Sequence, residues 1–398
     1  MSHLAQHEEW LKELMLKIIV NLGSNVNEAR YELCRRNDYI MSNVYFVDVK
    51  FKDKKREEVS VILKRPTSDN VKLFYRVDHQ FYNEIRFYQM YVRPSDNLPR
   101  CFYADDQLPV GSVIALENVN KHGYYSCPYT HDVPLEYTLA AFRELGRFHA
   151  KGYVMKELQR EKFFDIVRQI KEIRYDTTFG FKKIINLTAT RSVEYLRKHG
   201  HDEAFCDKME AVLSNVFDKV MMKTAEPREP LSTLCHGDFT SYNVLFKAEN
   251  DGQYRAMLID FALVRYSTPV IDLSTYLYLC GTKETREDRF SEVMQAYYDA
   301  LKEYLLEAGI SDMEKYSYDA FLNDYKKGAL FGFVIASLWL GPVNGYGDPQ
   351  ELTSMEFLKV EENMQKKFKE VGGDKISKIL ADMLLDLKNH DCLKYYFE

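Results

Sequence analysis

The sequence predicts an α+β protein of two lobes, with a small antiparallel β-sheet in the N-terminal lobe and a large, mostly helical C-terminal lobe. Its 398 residues suggest two or three structural units, at about 150 residues per unit. Segments rich in β-branched and aromatic residues are concentrated before residue 120, whereas apolar residues at helical spacing dominate later in the chain. We therefore expect one domain over 1–119, with an N-terminal helix and the sheet, and a second domain over 120–398.

The N-terminal domain is predicted to hold a helix, a strand hairpin, a second helix and a further strand. Apolar side chains recur at helical spacing over 8–22. The segments 44–51 and 59–64 are rich in β-branched and aromatic residues and are joined by a short charged link, which indicates a hairpin. Apolar spacing predicts the second helix over 74–92, and the composition of 112–119 predicts another strand.

The C-terminal domain is predicted to be helical apart from three short strands. Apolar spacing predicts a helix over 135–153, and helices dominate again from about residue 270 onwards. The short strands are predicted at 231–235, 244–246 and 256–261. The longest uncharged stretch, 328–344, contains glycines and Pro342, so it indicates a buried core helix rather than a membrane span.

Composition argues against several classes of protein. The chain has 54 Lys and Arg residues against 60 Asp and Glu residues, and its net charge of −6 argues against a nucleic-acid binder. The seven cysteines include no CxxC pair, which favours reduced thiols in the cytoplasm. The N-terminal residues are polar and acidic, unlike a signal peptide. No feature of the sequence indicates an obligate protein partner.

One segment carries residues at the spacing that phosphoryl transfer requires. It reads CHGDFTSYNVLF over 235–246 and is followed by MLIDF over 257–261. Phosphoryl transfer from ATP needs a residue that accepts the hydroxyl proton and hard oxygen ligands for magnesium. Asp238 fits the first role and Asn243, five residues later, can turn its amide oxygen towards the metal. Asp260 follows an apolar strand and fits the principal metal ligand.

The N-terminal domain supplies a cation for the ATP phosphates. Lys64 ends the second predicted strand, in the run VILK, which matches the strand that carries the ATP lysine in kinase folds. Glu84 lies twenty residues later in the predicted helix, where an ion pair would hold Lys64 towards the phosphates. The next strand then occupies the position of the hinge, where backbone groups of Glu117, Asn118 and Val119 would meet the adenine edge.

These pieces, in this order, resemble the ecdysteroid kinase-like family, relatives of the choline and aminoglycoside kinases. The resemblance covers about residues 30–345 and is carried by VILK, NEIRFY, ALENV, ELGRFHA, HGDFTSYNVLF and LIDFALVRYSTPVIDLSTYLY. It implies a bilobal protein-kinase-like fold, with ATP and Mg²⁺ as cofactors. It further implies that Asp238 is the catalytic base, that Asn243 and Asp260 bind magnesium, and that Lys64 contacts the ATP phosphates. The family phosphorylates hydroxyl groups of small molecules, among which ecdysteroids are the best known.

The spacing after Asp260 favours a small acceptor. Only eleven residues separate Asp260 from Asp272, which leaves no room for the long activation segment that gives a protein kinase its peptide platform. Asp272 begins the next predicted helix, where it could cap the helix or hydrogen-bond the catalytic loop. His236 is expected to brace the loop, and His149 is expected to be a packed helix residue.

Two departures from the family pattern bear on nucleotide binding and catalysis. The nucleotide loop of the family relies on glycine, but the corresponding stretch here, 35–43, contains none. No lysine or arginine lies between Asp238 and Asn243, so transition-state charge is expected to fall mainly on magnesium and Lys64. Two alternatives to a steroid or xenobiotic kinase stay open: a choline-like amino-alcohol kinase, and a catalytically silent nucleotide- or sterol-binding protein.

Overall fold

Two compact units make up the chain. The computed structural model describes residues 3–39, 41–67, 75–106, 111–175, 182–347 and 367–397. The first unit comprises Met1–Tyr125 and Gln169–Lys171, and the second comprises Ser126–Arg168 and Glu172–Glu398. The first contains an antiparallel sheet and the second is mostly helical, which confirms the predicted α+β fold class.

The first unit is built on a five-stranded antiparallel sheet in the order β1-β2-β3-β5-β4. Its strands are β1 (Ala29–Asp38), β2 (Ser42–Phe51), β3 (Val59–Pro66), β4 (Cys101–Asp105) and β5 (Val113–Glu117). Its helices are α1 (His3–Asn21) and α2 (Val77–Arg86), the latter continuing as a π-helical turn over Phe87–Tyr91. Helix α1 packs against the sheet, because its Leu14 and Ile18 side chains share a buried apolar core with Val47.

Every strand that the sequence predicts in the first unit is present, and β1 and β4 are found in addition. Strand β1 escapes prediction because most of its side chains are exposed and polar, so no alternating apolar pattern marks it. It ends at Asp38 and β2 begins at Ser42, so the stretch 35–43 is mostly strand rather than loop. None of the described residues of this stretch has a left-handed backbone, and those positions therefore do not require glycine. The predicted helix over 74–92 is present from Val77, and residue 74 lies outside the described residues.

The second unit consists of helices and short strands. Its helical segments are α3 (Leu135–Leu158), α4 (Arg160–Gln169), α5 (Lys182–Lys198), α6 (Glu203–Leu213), a π-helical turn (Phe217–Met222) with α7 (Lys223–Ala225), α8 (Val270–Leu279), α9 (Lys283–Glu287), α10 (Phe290–Glu307), α11 (Tyr318–Gly328), α12 (Leu330–Val343) and α13 (Gly373–Asn389). The short strand β6 (Tyr125–Ser126) lies at the division between the units. Strand β7 (Thr233–Cys235) pairs antiparallel with β10 (Arg265–Ser267), and β8 (Val244–Ala248) pairs antiparallel with β9 (Tyr254–Leu258). The loop after β7 and the residues after β9 carry the polar side chains of interest.

The uncharged stretch 328–344 forms a buried helix, as the sequence predicts. Helix α12 carries apolar side chains around its circumference, and Leu330 and Val334 are fully buried. Gly332 allows α12 to approach α8 closely, because a Cβ at this position would lie 2.1 Å from the carbonyl oxygen of Ser274. Within the described ranges, none of the helices has the length and apolar character needed to cross a membrane.

Candidate active site

The loop from His236 to Asn243 joins β7 to β8 and is fixed by the carboxylate of Asp272. The backbone N–H of His236 donates to Asp272 Oδ2 at 2.7 Å, and that of Gly237 donates to Oδ1 at 2.8 Å. Gly237 has a φ of +81°, and a Cβ there would lie 1.9 Å from the carbonyl oxygen of Leu263, so only glycine fits. Asp272 therefore hydrogen-bonds the loop, which is one of the two roles that its sequence position allows.

Asp272 is held in the core by a chain of buried polar side chains. Its Oδ2 lies 3.0 Å from Nε2 of His149, and Nδ1 of His149 lies 2.9 Å from the Tyr297 hydroxyl. Because a carboxylate only accepts hydrogen bonds, Nε2 of His149 carries a proton. Burial raises the pKa of Tyr297 well above its ordinary value, so its hydroxyl stays protonated and donates to Nδ1. His149 is thus a packed, hydrogen-bonded histidine, whereas no sequence motif predicts the role of Tyr297.

Cys235 lies beside this chain of buried polar side chains. Donor atoms of His149, Cys235 and Asp272 all lie within 4.8 Å of one another. Burial raises the pKa of the Cys235 thiol well above its ordinary value, and its Sγ donates to the carbonyl oxygen of Ser267 at 3.3 Å. Both ring nitrogens of His149 and the Cys235 thiol are engaged in hydrogen bonds with neighbouring protein groups. We therefore interpret the cluster as part of the hydrogen-bond network.

His236 acts as a brace inside the loop. Its Nδ1 accepts a hydrogen bond from the backbone N–H of Asp238 at 3.3 Å, and its Nε2 lies 2.9 Å from the carbonyl oxygen of Ile259. Since a carbonyl oxygen only accepts, Nε2 carries the proton and Nδ1 does not. Both ring nitrogens of His236 are occupied in this way, so the ring has a bracing role and no free nitrogen for proton transfer.

The side chains of Asp238 and Asn243 are brought together by the turn of the loop. The Asn243 amide nitrogen donates to the backbone oxygen of Asp238 at 2.9 Å and to its Oδ2 at 3.0 Å. Both of these partners are acceptors, so the nitrogen must face them and the amide oxygen must face the opposite way. The backbone carbonyl oxygen of Asn243, by contrast, accepts a hydrogen bond from the N–H of Ile259 at 3.0 Å. This bond connects the loop to the end of β9.

Asp260 follows β9 in a backbone conformation that few residues adopt. Its φ of +65° and ψ of +71° lie in the left-handed region, which aspartate enters more readily than most residues other than glycine. Such conformations concentrate at functional sites, where the surrounding structure maintains them. The Asp260 carboxylate and the Asn243 amide oxygen are both hard oxygen donors, the type of ligand that magnesium prefers.

A cation that sequence reasoning missed lies next to Asp238. Arg174 Nη1 is 3.6 Å from Asp238 Oδ1, and the two side chains are 23% and 36% exposed. The residues around Arg174 carry no motif, and the position is distant in sequence from the loop over 236–243. The expectation that positive charge comes mainly from magnesium and Lys64 therefore overlooked a guanidinium group in the second unit.

In the first unit, Lys64 and Glu84 form the ion pair that their spacing suggests. Lys64 Nζ lies 2.8 Å from Glu84 Oε2, and the side chains are 15% and 1% exposed. Lys64 stands opposite Val44 and Ile114 in the centre of the sheet, and its Nζ lies 5.7 Å from the Phe81 ring centroid. Burial of Glu84 beside a cation makes this pair far more constrained than a surface salt bridge.

The three residues predicted at the hinge differ in whether their backbone N–H group is available to a ligand. The N–H of Glu117 donates to the carbonyl oxygen of Arg100 at 2.8 Å, and that of Asn118 donates to the carbonyl oxygen of Ser60 at 2.9 Å. Val119 is buried, and within the described part of the chain its N–H has no hydrogen-bond partner. Among these three N–H groups, the one at Val119 is therefore the donor left for a ligand.

Comparison with models of protein families assigns the chain to a family of small-molecule kinases. The model of the ecdysteroid kinase-like family matches residues 36–310, which is more than half of the chain. The chain belongs to the ecdysteroid kinase-like family. A comparison with curated protein sequences gives no match.

Solved structures with a similar course of the chain include three phosphotransferases. The GDP complex of wild-type aminoglycoside 2'-phosphotransferase-IIIa is 14% identical, with 90% of this chain and 97% of that chain covered and a TM-score of 0.41. The microcompartment-associated aminopropanol kinase is 13% identical, with 91% and 94% covered and a TM-score of 0.37. A thermostable mutant of aminoglycoside phosphotransferase APH(4)-Ia, in a ternary complex with AMP-PNP and hygromycin B, is 13% identical, with 80% and 96% covered and a TM-score of 0.33. The family assignment rests on the family match alone.

Proposed function

We propose that this protein transfers the γ-phosphoryl group of ATP, in the presence of Mg²⁺, to a hydroxyl group of a small molecule. The geometry of Asp238 carries the proposal. Its Oδ2 is tied to the Asn243 amide at 3.0 Å, whereas its Oδ1 faces Arg174 at the longer distance of 3.6 Å. Oδ1 is therefore the oxygen that can accept a proton from the acceptor hydroxyl. In this proposal the first unit binds the nucleotide, and the second binds magnesium and the acceptor.

Asn243 and Asp260 would hold the magnesium ion. The amide nitrogen of Asn243 faces Asp238, so its oxygen is directed to the other side as a ligand. Asp260 adds a carboxylate from the end of β9. When bound, magnesium offsets the negative charge that phosphoryl transfer concentrates on the phosphate oxygens. Asp272 and His236 keep the loop in the conformation that presents Asp238 and Asn243.

The first unit supplies the groups proposed to bind the nucleotide. Lys64 would contact the phosphates while Glu84, almost fully buried, holds its ammonium group in place. Backbone groups of Glu117, Asn118 and Val119 would meet the adenine edge, with the Val119 N–H as the donor. The turn between β1 and β2 has ordinary backbone angles at its described residues, so the missing glycine does not by itself favour a silent binding protein.

We propose an uncharged acceptor, an ecdysteroid or another hydroxylated steroid or xenobiotic. Arg174 lies beside the carboxylate that must receive the acceptor hydroxyl, and its positive charge offsets the attraction of that carboxylate for a cationic acceptor. This compensation disfavours a choline-like amino alcohol. All seven cysteines are free in the structure, in keeping with a reducing compartment, and we propose a cytoplasmic location.

Turnover of matched acceptors tests this proposal. We expect ATP- and Mg²⁺-dependent release of ADP with at least one hydroxylated steroid or xenobiotic alcohol, and no acceptor-dependent release with the same ring system lacking the hydroxyl. Choline should react with a kcat/KM at least about 10-fold lower, a difference of about 1.4 kcal/mol. Nucleotide binding without turnover across a broad panel would favour the silent binding protein. A preference for choline would contradict the proposed charge selectivity.

Replacing Lys64 with methionine should weaken nucleotide binding. Methionine has a similar length but no charge, so the variant fills the same space while the phosphates and the buried Glu84 both lose the cation. We expect the dissociation constant for Mg-ATP to rise at least about 10-fold, as for the loss of a charge-assisted hydrogen bond. Lys50→Met is the matched control, because Lys50 pairs with Glu32 at 3.1 Å on the neighbouring strand but is 55% exposed. Equal nucleotide affinity in Lys64→Met and Lys50→Met, measured by calorimetry, would refute the role of Lys64.

A further inference from the structure

The loop between Asp238 and Asn243 carries no cation of its own, and Arg174 lies beside Asp238 from elsewhere in the chain. The residues between Asp238 and Asn243 are Phe, Thr, Ser and Tyr, none of which carries positive charge. Phosphoryl transfer spreads negative charge over the oxygens of the transferred group, and a positioned cation lowers its energy. Arg174 is the side chain that the structure places against the catalytic carboxylate, with Nη1 3.6 Å from Asp238 Oδ1.

The backbone that carries Arg174 is held firmly. Glu172 Oε1 accepts three backbone hydrogen bonds, from the N–H groups of Ile173, Arg174 and Tyr175, at 2.9, 2.8 and 2.7 Å. Glu172 also pairs with Arg265 at 3.0 Å, and the Arg265 guanidinium lies 4.5 Å from the Tyr175 ring centroid. Three backbone donors on one carboxylate oxygen define the turn, so the position of Arg174 is set by the fold.

The contact between Arg174 and Asp238 is too loose to be a stabilising ion pair. At 3.6 Å it exceeds the 2.7–2.9 Å that is typical of a hydrogen bond between charged groups, and both side chains are partly exposed. Partly exposed ion pairs of this kind contribute little to folding. The Asp238 oxygen therefore stays accessible to an acceptor hydroxyl, and several of the five guanidinium N–H donors remain for a second anion.

We propose that Arg174 is a catalytic residue whose guanidinium binds the phosphoryl group during its transfer, an inference that rests on the proposed function. In the step, the acceptor oxygen forms a bond to phosphorus, the bond from phosphorus to the ADP oxygen breaks, and the hydroxyl proton passes to Asp238. The acceptor oxygen lies about 3 Å from the Asp238 carboxylate at that point, and phosphorus lies about 3 Å farther on. The Arg174 guanidinium lies beside the same carboxylate oxygen. In this proposal its other N–H donors reach from Asp238 to the oxygens of the phosphoryl group.

A transition-state mimic tests this role separately from turnover. Aluminium fluoride with Mg-ADP imitates the phosphoryl group in the transition state. Calorimetry measures how far the fluoride lowers the dissociation constant of Mg-ADP. We expect Arg174→Ala to bind Mg-ADP alone with unchanged affinity, to lose the tightening, and to lose about 10²-fold in kcat with a nucleotide KM within about threefold. Arg174→Lys should keep part of both effects, because lysine retains the charge but not the fork of donors. Guanidinium added to Arg174→Ala should restore part of the turnover.

Arg168→Ala is the matched control, since Arg168 lies six residues earlier, is exposed and pairs with Asp165 on the same helix. Arg168→Ala should match the wild type both in the tightening of Mg-ADP binding by fluoride and in kcat. If fluoride tightens ADP binding equally in the wild type and in Arg174→Ala, this inference is overturned while the proposed function stands. If the wild-type protein binds no Mg-ADP, the proposed function fails and the inference fails with it. Equal melting temperatures of the variants would show that folding is not the cause of the lost turnover.

Discussion

Replacing Asp238 with asparagine should lower kcat by about 10³-fold, within the range of a lost general base. Asparagine preserves the size of the side chain and can still hydrogen-bond Asn243, but it cannot accept a proton from the acceptor hydroxyl. The loop should keep its fold, because Asp272 and His236 hold its backbone through hydrogen bonds that do not involve the Asp238 side chain. Steady-state turnover with a reactive alcohol, together with calorimetric Mg-ATP binding, measures both properties.

Asp251→Asn gives the matched control for this charge change. Asp251 lies in the turn between β8 and β9, where its Oδ1 accepts from the N–H of Gln253 at 3.0 Å, and it is exposed. Both variants remove one negative charge from the second unit, so a difference in kcat reflects the position of the carboxylate. Turnover of Asp238→Asn within about threefold of Asp251→Asn would remove Asp238 from the role of base, since a lost base costs at least about 10²-fold.

The hydrogen bonds within the loop over 236–243 follow closely from sequence because its residues are contiguous. His236, Asp238 and Asn243 lie within eight positions, so the loop conformation alone determines which of their atoms meet. Sequence places Asp272 at the start of a helix, but its two backbone partners, His236 and Gly237, lie in the loop after β7 and are brought to it only by the tertiary fold. Sequence spacing therefore suggests the chemistry, and tertiary structure selects among the hydrogen bonds.

Arg174 could not be predicted, because its position depends on contacts between distant segments. It lies 64 residues before Asp238, and its turn is built by Glu172, which pairs with Arg265 on β10. No local pattern encodes such a relation in a single sequence. The Lys64–Glu84 pair is different, because an apolar strand and an amphipathic helix twenty residues apart are recognisable elements with a known order in kinase folds.

The fold class could likewise be predicted from recognisable elements, and the strands that the sequence does not reveal are missed for a physical reason. Strands such as β3, with Val61 and Leu63 buried, reveal themselves because burial selects β-branched and apolar residues. Strand β1 stands at the edge of the described sheet, pairs with β2 and exposes most of its side chains. Solvent places little constraint on such side chains, so the backbone pairing of β1 leaves almost no trace in composition.

Replacing Asp272 with asparagine should destabilise the second unit and reduce turnover together. The carboxylate accepts hydrogen bonds from two backbone N–H groups and from His149, and it is 1% exposed. Asparagine offers one acceptor oxygen, so its NH₂ group would face a donor in the core. We expect a loss of about 3 kcal/mol in the free energy of unfolding, as for a buried charged group that loses hydrogen bonds. Urea denaturation measures this loss, and kcat should fall because the loop no longer holds Asp238 in place.

Asp319→Asn separates this effect from the general influence of an acidic residue at a helix start. Asp272 and Asp319 both lie in the first turn of a helix, α8 and α11, but Asp319 is exposed. The interaction with the helix dipole is worth only about 0.3–1 kcal/mol, so Asp319→Asn should change stability by no more than that. Equal urea midpoints for the two variants would show that the Asp272 carboxylate acts only on its own helix. A large loss confined to Asp272→Asn, with kcat reduced in parallel, would show that the hydrogen bonds to His236 and Gly237 link the stability of the core to the geometry of the catalytic loop.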